Sequence, residues 1–152
     1  MGGFRLKRLR TIEQKIECIK KAVSNAQEHI RAKDPRRVYS QYIRYALDEV
    51  SDINFYRSTA ARDLKRKDVI HEHVVPHSIV MNKLLALDPL TFESVMSLVK
   101  KYYVICAITK EEDKQLNAAG LRSKMPKDWE SDNNIFARYE AVGISVVKID
   151  KS

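Results

Sequence analysis

The sequence contains few glycines, prolines and cysteines. Its four glycines and four prolines exclude a collagen-like chain and a Pro/Gly-rich disordered chain. Its two cysteines, Cys18 and Cys106, stand 88 positions apart, and neither belongs to a CxxC pair, which excludes a zinc knuckle. Both lie among apolar residues, so we predict two buried, reduced thiols in a cytoplasmic protein.

Long apolar runs are also absent from the sequence. The longest uncharged apolar run covers about eight residues, 102–109, and is far too short to cross a bilayer. The basic N-terminal residues lack the apolar stretch of a signal peptide, so we expect no secretion by that route and no membrane partner.

The composition is that of a globular chain with one strongly basic half. Apolar residues make up 44% of the sequence and charged residues 32%, which allows a core without disulfides or a structural metal. Residues 1–67 carry 17 Lys/Arg against 8 Asp/Glu, a balance of +9, whereas residues 68–152 carry 11 against 12, a balance of −1. The basic half predicts a phosphate-rich partner, and the alternative is a solvated basic face.

Two apolar stripes in the basic half predict a pair of helices. Along the first stripe the apolar residues recur at steps of three and four, as on one face of an amphipathic helix: Leu9, Ile12, Ile16, Ile19, Val23, Ala26 and Ile30. A second stripe runs from Tyr39 to Ile53, so residues 11–55 are predicted to form an antiparallel helix pair. The 9–30 stripe needs a partner helix, either in this chain or in a second copy, which would make a homodimer. Residues 57–67 are predicted to be a helical turn and linker.

The second half alternates between strand and helix patterns. Its elements are predicted to follow one another as strand (69–75), helix (77–87), helix (91–101), strand (102–108), helix (109–120), helix (135–141) and strand (144–149). Thr109 and Glu112 form the capping box of the third of these helices, and Gly120 ends it. The predicted fold class is therefore α+β, mostly helical, with a basic helical region at 1–67 and a mixed region at 68–152.

Three of the four histidines fall within seven residues, in the stretch His71-Glu72-His73-Val74-Val75-Pro76-His77. On a strand His71 and His73 face one side and Glu72 faces the other. A buried Glu72 is costly unless it is paired or bound to a metal. The stretch is therefore either an exposed edge strand or a site that combines a metal ligand with a general base.

A second polar cluster lies on the helix that follows the second predicted strand. Asp113 and Asn117 are four positions apart, so they share one helix face, and two oxygen donors at this spacing can point at one cation. The alternative is that Glu111, Glu112 and Asp113 only complement the helix dipole in the first turn.

The order of these features resembles the HNH, or ββα-metal, nuclease family, and in particular the finger of nuclease colicins and related DNases. In that family two adjacent polar residues precede a proline on a first strand. After a second strand, a threonine begins a helix with ligands four and eight positions later. The matching residues, all within 69–120, are Glu72, His73 and Pro76 for the first part and Thr109, Asp113 and Asn117 for the second.

The resemblance implies a metal-dependent endonuclease. It gives His73 the place of the general base that activates water, and it gives the places of the metal ligands to Glu72, Asp113 and Asn117. Two carboxylates and an amide favour one Mg²⁺ or Mn²⁺ over Zn²⁺. The family's residue that orients the base histidine, an Asn or His before the second strand, has no equivalent at 100–103.

Two functions are compatible with these patterns. The first is hydrolysis of DNA, in which the mixed region cuts and basic residues bind the phosphate backbone, with Lys65, Arg66, Lys67, Arg122 and Lys124 as candidates near the finger. The basic, aromatic segment 121–143 would shape the substrate groove, and the alternative is that Trp129 and Tyr139 only cover the edge of the core. The second is a non-catalytic module that binds nucleic acid or protein through a degenerate finger, and the missing orienting residue supports it.

Overall fold

The fold is mixed α+β, as predicted, and it divides into two compact units. The computed structural model describes residues 10–130 and 134–149. One unit covers Met1–Val50 and the other covers Ser51–Ser152. The boundary predicted from the charge pattern of the sequence lies later, after residue 67. The contacts place it earlier, because residues 55–58 pair with strands of the second unit.

The first unit is the predicted helix pair. Helix α1 spans Ile12–Arg31 and helix α2 spans Ser40–Asp48, with a short 3₁₀ turn at Arg36–Val38. α1 begins at a capping box, in which Thr11 Oγ1 accepts a hydrogen bond from Gln14 N at 3.1 Å. The buried residues of α1 are Ile16, Ile19, Val23 and Ala26, and those of α2 are Ile43, Ala46 and Leu47. The partner helix of the predicted stripe is therefore α2 of this chain.

A four-stranded sheet organises the second unit. Its strands are β1 (Phe55–Ser58), β2 (Val69–His73), β3 (Ile105–Thr109) and β4 (Val146–Lys148). They lie in the order β2-β3-β1-β4. β3 is antiparallel to β2 and parallel to β1, and β4 is antiparallel to β1.

Strand β1 corrects the prediction of a helical turn and linker at 57–67. Arg57 and Ser58 belong to this strand, which pairs with a neighbour on each side, and helical form is limited to a 3₁₀ turn at Arg66–Asp68. The stretch Phe55-Tyr56-Arg57-Ser58 does not alternate between apolar and polar residues, so it lacks the usual pattern of a half-buried strand. The strand owes its form to pairing with β3 and β4, which are distant in sequence, rather than to local preference.

The remaining elements of this unit are helices. In sequence, α3 (His77–Leu85) and α4 (Phe92–Tyr102) lie between β2 and β3, α5 (Lys110–Ala118) follows β3, and α6 (Ala137–Ala141) precedes β4. α5 begins at the predicted capping box, in which Thr109 Oγ1 accepts from Glu112 N at 3.0 Å and Glu112 Oε1 accepts from Thr109 N at 2.9 Å. Gly120 ends the helix with a φ of +73°, a left-handed conformation that favours glycine.

One buried apolar cluster of the second unit joins the β2–β3 pair to helices α5 and α6. Its buried residues are Val74, Val104, Cys106, Ile108, Leu116, Leu121, Tyr139 and Ile144. Both cysteines are free thiols; Cys106 is buried as predicted, whereas Cys18 in α1 is only half-buried. Among the described residues, no helix has the length and apolar character needed to span a membrane.

Candidate active site

The end of β2 and the start of α5 border one open cleft of about 450 Å³. The antiparallel register pairs Val69 with Thr109, so α5 begins beside the start of β2, and its contacts with both β2 and β3 hold it against the strand pair that carries the cleft residues. The residues that line the cleft are His71, Glu72, His73, Pro76, His77, Ser78, Asp113, Arg122 and Ser123.

Four of the residues predicted from the sequence are among those that line the cleft: Glu72, His73, Asp113 and Arg122. The first and last of these four are 50 positions apart in sequence, so only the fold brings them to one place. The other predicted residues are exposed and do not line the cleft; they are Asn117, Lys65, Arg66, Lys67 and Lys124.

His73 is packed between two aromatic rings at the end of β2. Its ring centroid lies 5.5 Å from that of His77, at the start of α3, and 5.5 Å from that of Tyr103. His73 Nδ1 and His77 Nε2 are both shielded from solvent. His71 packs against Phe55 of β1, at 5.6 Å between centroids. This packing restricts the orientation of the His73 imidazole at the cleft.

Glu72 faces the opposite side of β2, as the strand alternation predicts, and it is paired there with a buried arginine. Arg138 of α6 is fully buried, whereas the Glu72 side chain is 13% exposed. Glu72 Oε1 accepts from Arg138 Nη1 at 3.2 Å and from the Tyr139 hydroxyl at 2.6 Å, and its Oε2 accepts from Arg138 Nη2. The carboxylate and the guanidinium therefore compensate each other's charge in the interior.

The remaining hydrogen bonds of Arg138 go to backbone carbonyls on two chain segments. Its Nη1 donates to the carbonyl oxygens of His73 at 2.8 Å and Val74 at 3.0 Å. Its Nε donates to the carbonyl of Leu121 at 2.8 Å, and its Nη2 donates to that of Arg122 at 3.1 Å. One guanidinium thus joins the end of β2 to the segment that follows α5.

A second buried polar contact fixes the start of α5. Ser58 is fully buried at the end of β1, and its hydroxyl donates to Glu112 Oε1 at 2.5 Å. The same oxygen accepts from Thr109 N in the capping box. Because Asp113 follows Glu112 directly, this contact ties the turn that carries Asp113 to the sheet.

Burial raises the pKa of two groups beside Glu72. It raises the pKa of the Tyr139 hydroxyl well above its usual 10, and the negative charge of Glu72 raises it further. It also raises the pKa of the Cys106 thiol to about 12, against a smaller opposing effect of a hydrogen bond with Tyr139. Both groups therefore remain protonated at neutral pH, and neither can serve as a proton acceptor there.

Of the three predicted metal ligands, Glu72 and Asp113 line the cleft and Asn117 does not. Both oxygens of Glu72 already accept hydrogen bonds. Across residues 10–130 and 134–149, no three His, Cys, Asp or Glu side chains are grouped closely enough to hold a metal ion. Asp113 is the one predicted carboxylate in the cleft lining that these contacts leave for a cation.

Sequence reasoning missed two parts of this arrangement. The pattern required either a partner or a metal for a buried Glu72, and the structure provides Arg138 and Tyr139, neither of which the sequence identified as that partner. Tyr139 is fully buried and belongs to the core. Ser58 was missed because it lies in the strand that the sequence did not reveal.

Comparison of this chain with models of known protein families found no match, and comparisons with curated proteins and with solved structures found none either.

Proposed function

We propose that this chain is an endonuclease that hydrolyses phosphodiester bonds in DNA, with His73 as the general base. The observation that carries the proposal is the convergence of His73, Asp113 and Arg122 on one cleft at a ββα element. A base, a carboxylate and a guanidinium are the groups that this hydrolysis needs beside a phosphate.

Each residue has a distinct part in the proposed reaction. The His73 imidazole takes a proton from the attacking water, because a neutral imidazole nitrogen can accept a proton in general-base catalysis. The Arg122 guanidinium stabilises negative charge on the phosphate oxygens. Mg²⁺ or Mn²⁺, expected from the family resemblance, would supply further stabilisation of that charge, and Asp113 is the residue that would hold it.

DNA is the partner that the proposal requires. The exposed basic residues Lys65, Arg66, Lys67 and Lys124 would contact the phosphate backbone and make binding strongly salt-dependent.

A homodimer through the 9–30 stripe stays a prediction. The burial of the stripe does not support it, because Ile16, Ile19 and Val23 are already buried within the chain.

Plasmid cleavage tests the proposal. We expect nicking of supercoiled DNA in Mg²⁺ or Mn²⁺ and a loss of at least about 100-fold in rate for His73→Gln. The matched control is His29→Gln in the first unit. His29 bonds to Asp34 at 2.8 Å and is not among the residues that line the cleft. Cleavage by His73→Gln at the wild-type rate would contradict the role of His73.

A non-catalytic nucleic-acid-binding module is the second candidate. The engagement of Glu72 by Arg138 and Tyr139 favours it, because a degenerate finger has no need of a free ligand at that position. This candidate predicts salt-dependent binding of duplex DNA, measured by fluorescence anisotropy, with no cleavage in Mg²⁺ or Mn²⁺. Cleavage that depends on His73 would eliminate it.

A further inference from the structure

We infer that Arg138 and Glu72 form a clamp that positions His73 and Arg122 across the cleft, with Glu72 serving as the anchor of Arg138 and not as a cation ligand. The functional meaning of the clamp rests on the proposed function, which assigns roles to His73 and Arg122. The clamp itself rests on hydrogen bonds and burial alone.

The clamp connects two segments that carry cleft residues. On one side, Arg138 Nη1 holds the carbonyls of His73 and Val74, at 2.8 and 3.0 Å. On the other side, its Nε and Nη2 hold the carbonyls of Leu121 and Arg122, at 2.8 and 3.1 Å. The proposed base and the proposed phosphate-binding arginine therefore stand on backbone that is fixed by the same planar group.

Burial makes Glu72 necessary to Arg138. The guanidinium is fully buried, and a charge in that position is strongly unfavourable unless an opposite charge compensates it. Glu72 provides that charge through both of its oxygens, and Tyr139 orients the carboxylate by a 2.6 Å hydrogen bond. The anchor and the clamp are therefore one unit, and loss of Glu72 loosens Arg138.

The same contacts argue against Glu72 as a ligand. A divalent cation at Glu72 would stand close to the Arg138 guanidinium, and the two positive charges would repel each other in an interior of low dielectric constant. Displacement of Arg138 by the cation would leave a buried charge without compensation. None of these hydrogen bonds of the Arg138 guanidinium goes to Asp113.

Two conservative variants separate the role of anchor from that of ligand. For Glu72→Gln we expect a clear decrease in the urea midpoint of unfolding and an unchanged Mn²⁺ affinity in isothermal calorimetry. For Asp113→Asn we expect the reverse, with Mn²⁺ affinity lower by more than about tenfold and an unchanged midpoint. The inference is wrong if Glu72→Gln weakens Mn²⁺ binding as much as Asp113→Asn does while its midpoint stays at the wild-type value.

NMR of Arg138→Lys tests the positioning itself, because lysine keeps the charge but cannot bond several carbonyls in a plane. We expect the ring signals of His73 and the backbone amide signals around Arg122 to shift, while the His29 ring signals stay in place. The His73 signals are assigned by their absence in His73→Gln. A folded Arg138→Lys with wild-type His73 and Arg122 signals would overturn the clamp. If Arg138→Lys does not fold, the same signals are measured in Glu72→Gln, with the same two outcomes.

These measurements distinguish failure of the clamp from failure of the nuclease proposal. A wild-type protein that neither binds Mn²⁺ nor cleaves DNA would end the proposed function, yet the unfolding midpoint and the NMR signals would still decide whether Arg138 fixes the two segments. Conversely, a protein that cleaves DNA through His73 but is indifferent to Arg138→Lys would keep the function and lose the clamp.

Discussion

Among the described residues, each unit contains an arginine–glutamate pair, and the two pairs differ in burial. In the second unit the Arg138 and Glu72 side chains are 0% and 13% exposed. In the first unit Arg10 donates to Glu49 from Nε at 3.0 Å and from Nη2, but the two side chains are 43% and 35% exposed. The same chemical pair is therefore an element of the interior in one unit and a surface contact in the other.

The difference teaches that the surroundings of a charge pair decide what it contributes. Water screens an exposed pair and solvates either partner when the other is removed, so such pairs add little to stability. A buried pair has already lost its hydration, and removal of one partner leaves the other without compensation. The buried pair can therefore fix the geometry of a site, which the exposed pair cannot.

The largest contrast is expected in the reactivity of the two thiols. Cys106 lies beside the buried pair and Cys18 beside the exposed pair. Burial raises the pKa of Cys106 to about 12, so its thiolate at pH 8 is about 1,000-fold rarer than that of an unperturbed cysteine. Half-buried Cys18 lies 4.0 Å from Arg10 and is accessible. We expect iodoacetamide to label Cys18 and to spare Cys106, as measured by peptide mass spectrometry.

The control for this labelling is the same reaction in denaturing urea, where both thiols must react at similar rates. Equal labelling of the two cysteines in the folded protein would show that the interior around Glu72 is open to reagent and water. It would then remove the basis for the contrast between the pairs.

A double-mutant cycle on the buried pair should give the next largest effect. Removal of one partner, in Glu72→Leu or Arg138→Met, is expected to lower the free energy of unfolding by about 3–5 kcal/mol, because the other charge is left buried. The double variant should be more stable than the sum of the two losses predicts, by a coupling energy of up to about 3 kcal/mol. Urea unfolding measures all three variants, and strictly additive losses would contradict the charge pairing.

The same cycle on the exposed pair should give the smallest effect. For Arg10→Ala and Glu49→Ala we expect no resolvable coupling energy at physiological ionic strength, because solvent screens the pair. Higher salt should not change this result. The measurement is again urea unfolding. A coupling as large as that of Glu72 and Arg138 would show that exposure does not separate the two pairs.

The sequence predicted the features that local rules govern. The spacing of Ile16, Ile19 and Val23 indicated the buried face of α1, because a helix repeats its faces every three to four residues. The capping box of Thr109 and Glu112 marked the start of α5 because it depends only on residues three positions apart. Both predictions are confirmed.

Features that depend on distant partners were not predictable in the same way. The strand character of β1 comes from β3 and β4, which lie about 50 and 90 positions further along the chain. The alternation of β2 placed Glu72 on the face opposite His71 and His73, and a buried Glu72 would need a partner or a metal, but no local rule identifies a partner 66 positions away. Four residues of the cleft lining were therefore named from the sequence, whereas Arg138, which bonds the backbone on two sides of it, was not.

The long insertion between the paired strands β2 and β3 has a consequence for how the second unit folds. The pair is a hairpin whose connection, residues 74–104, contains two helices, and closing such a connection has an entropic cost that a tight turn avoids. Contacts between residues far apart in sequence slow folding, whereas helices form quickly from local contacts. We therefore expect α3 and α4 to form before the strands meet. The cleft would then be among the last parts of the chain to assemble and among the first to open when the fold is stressed.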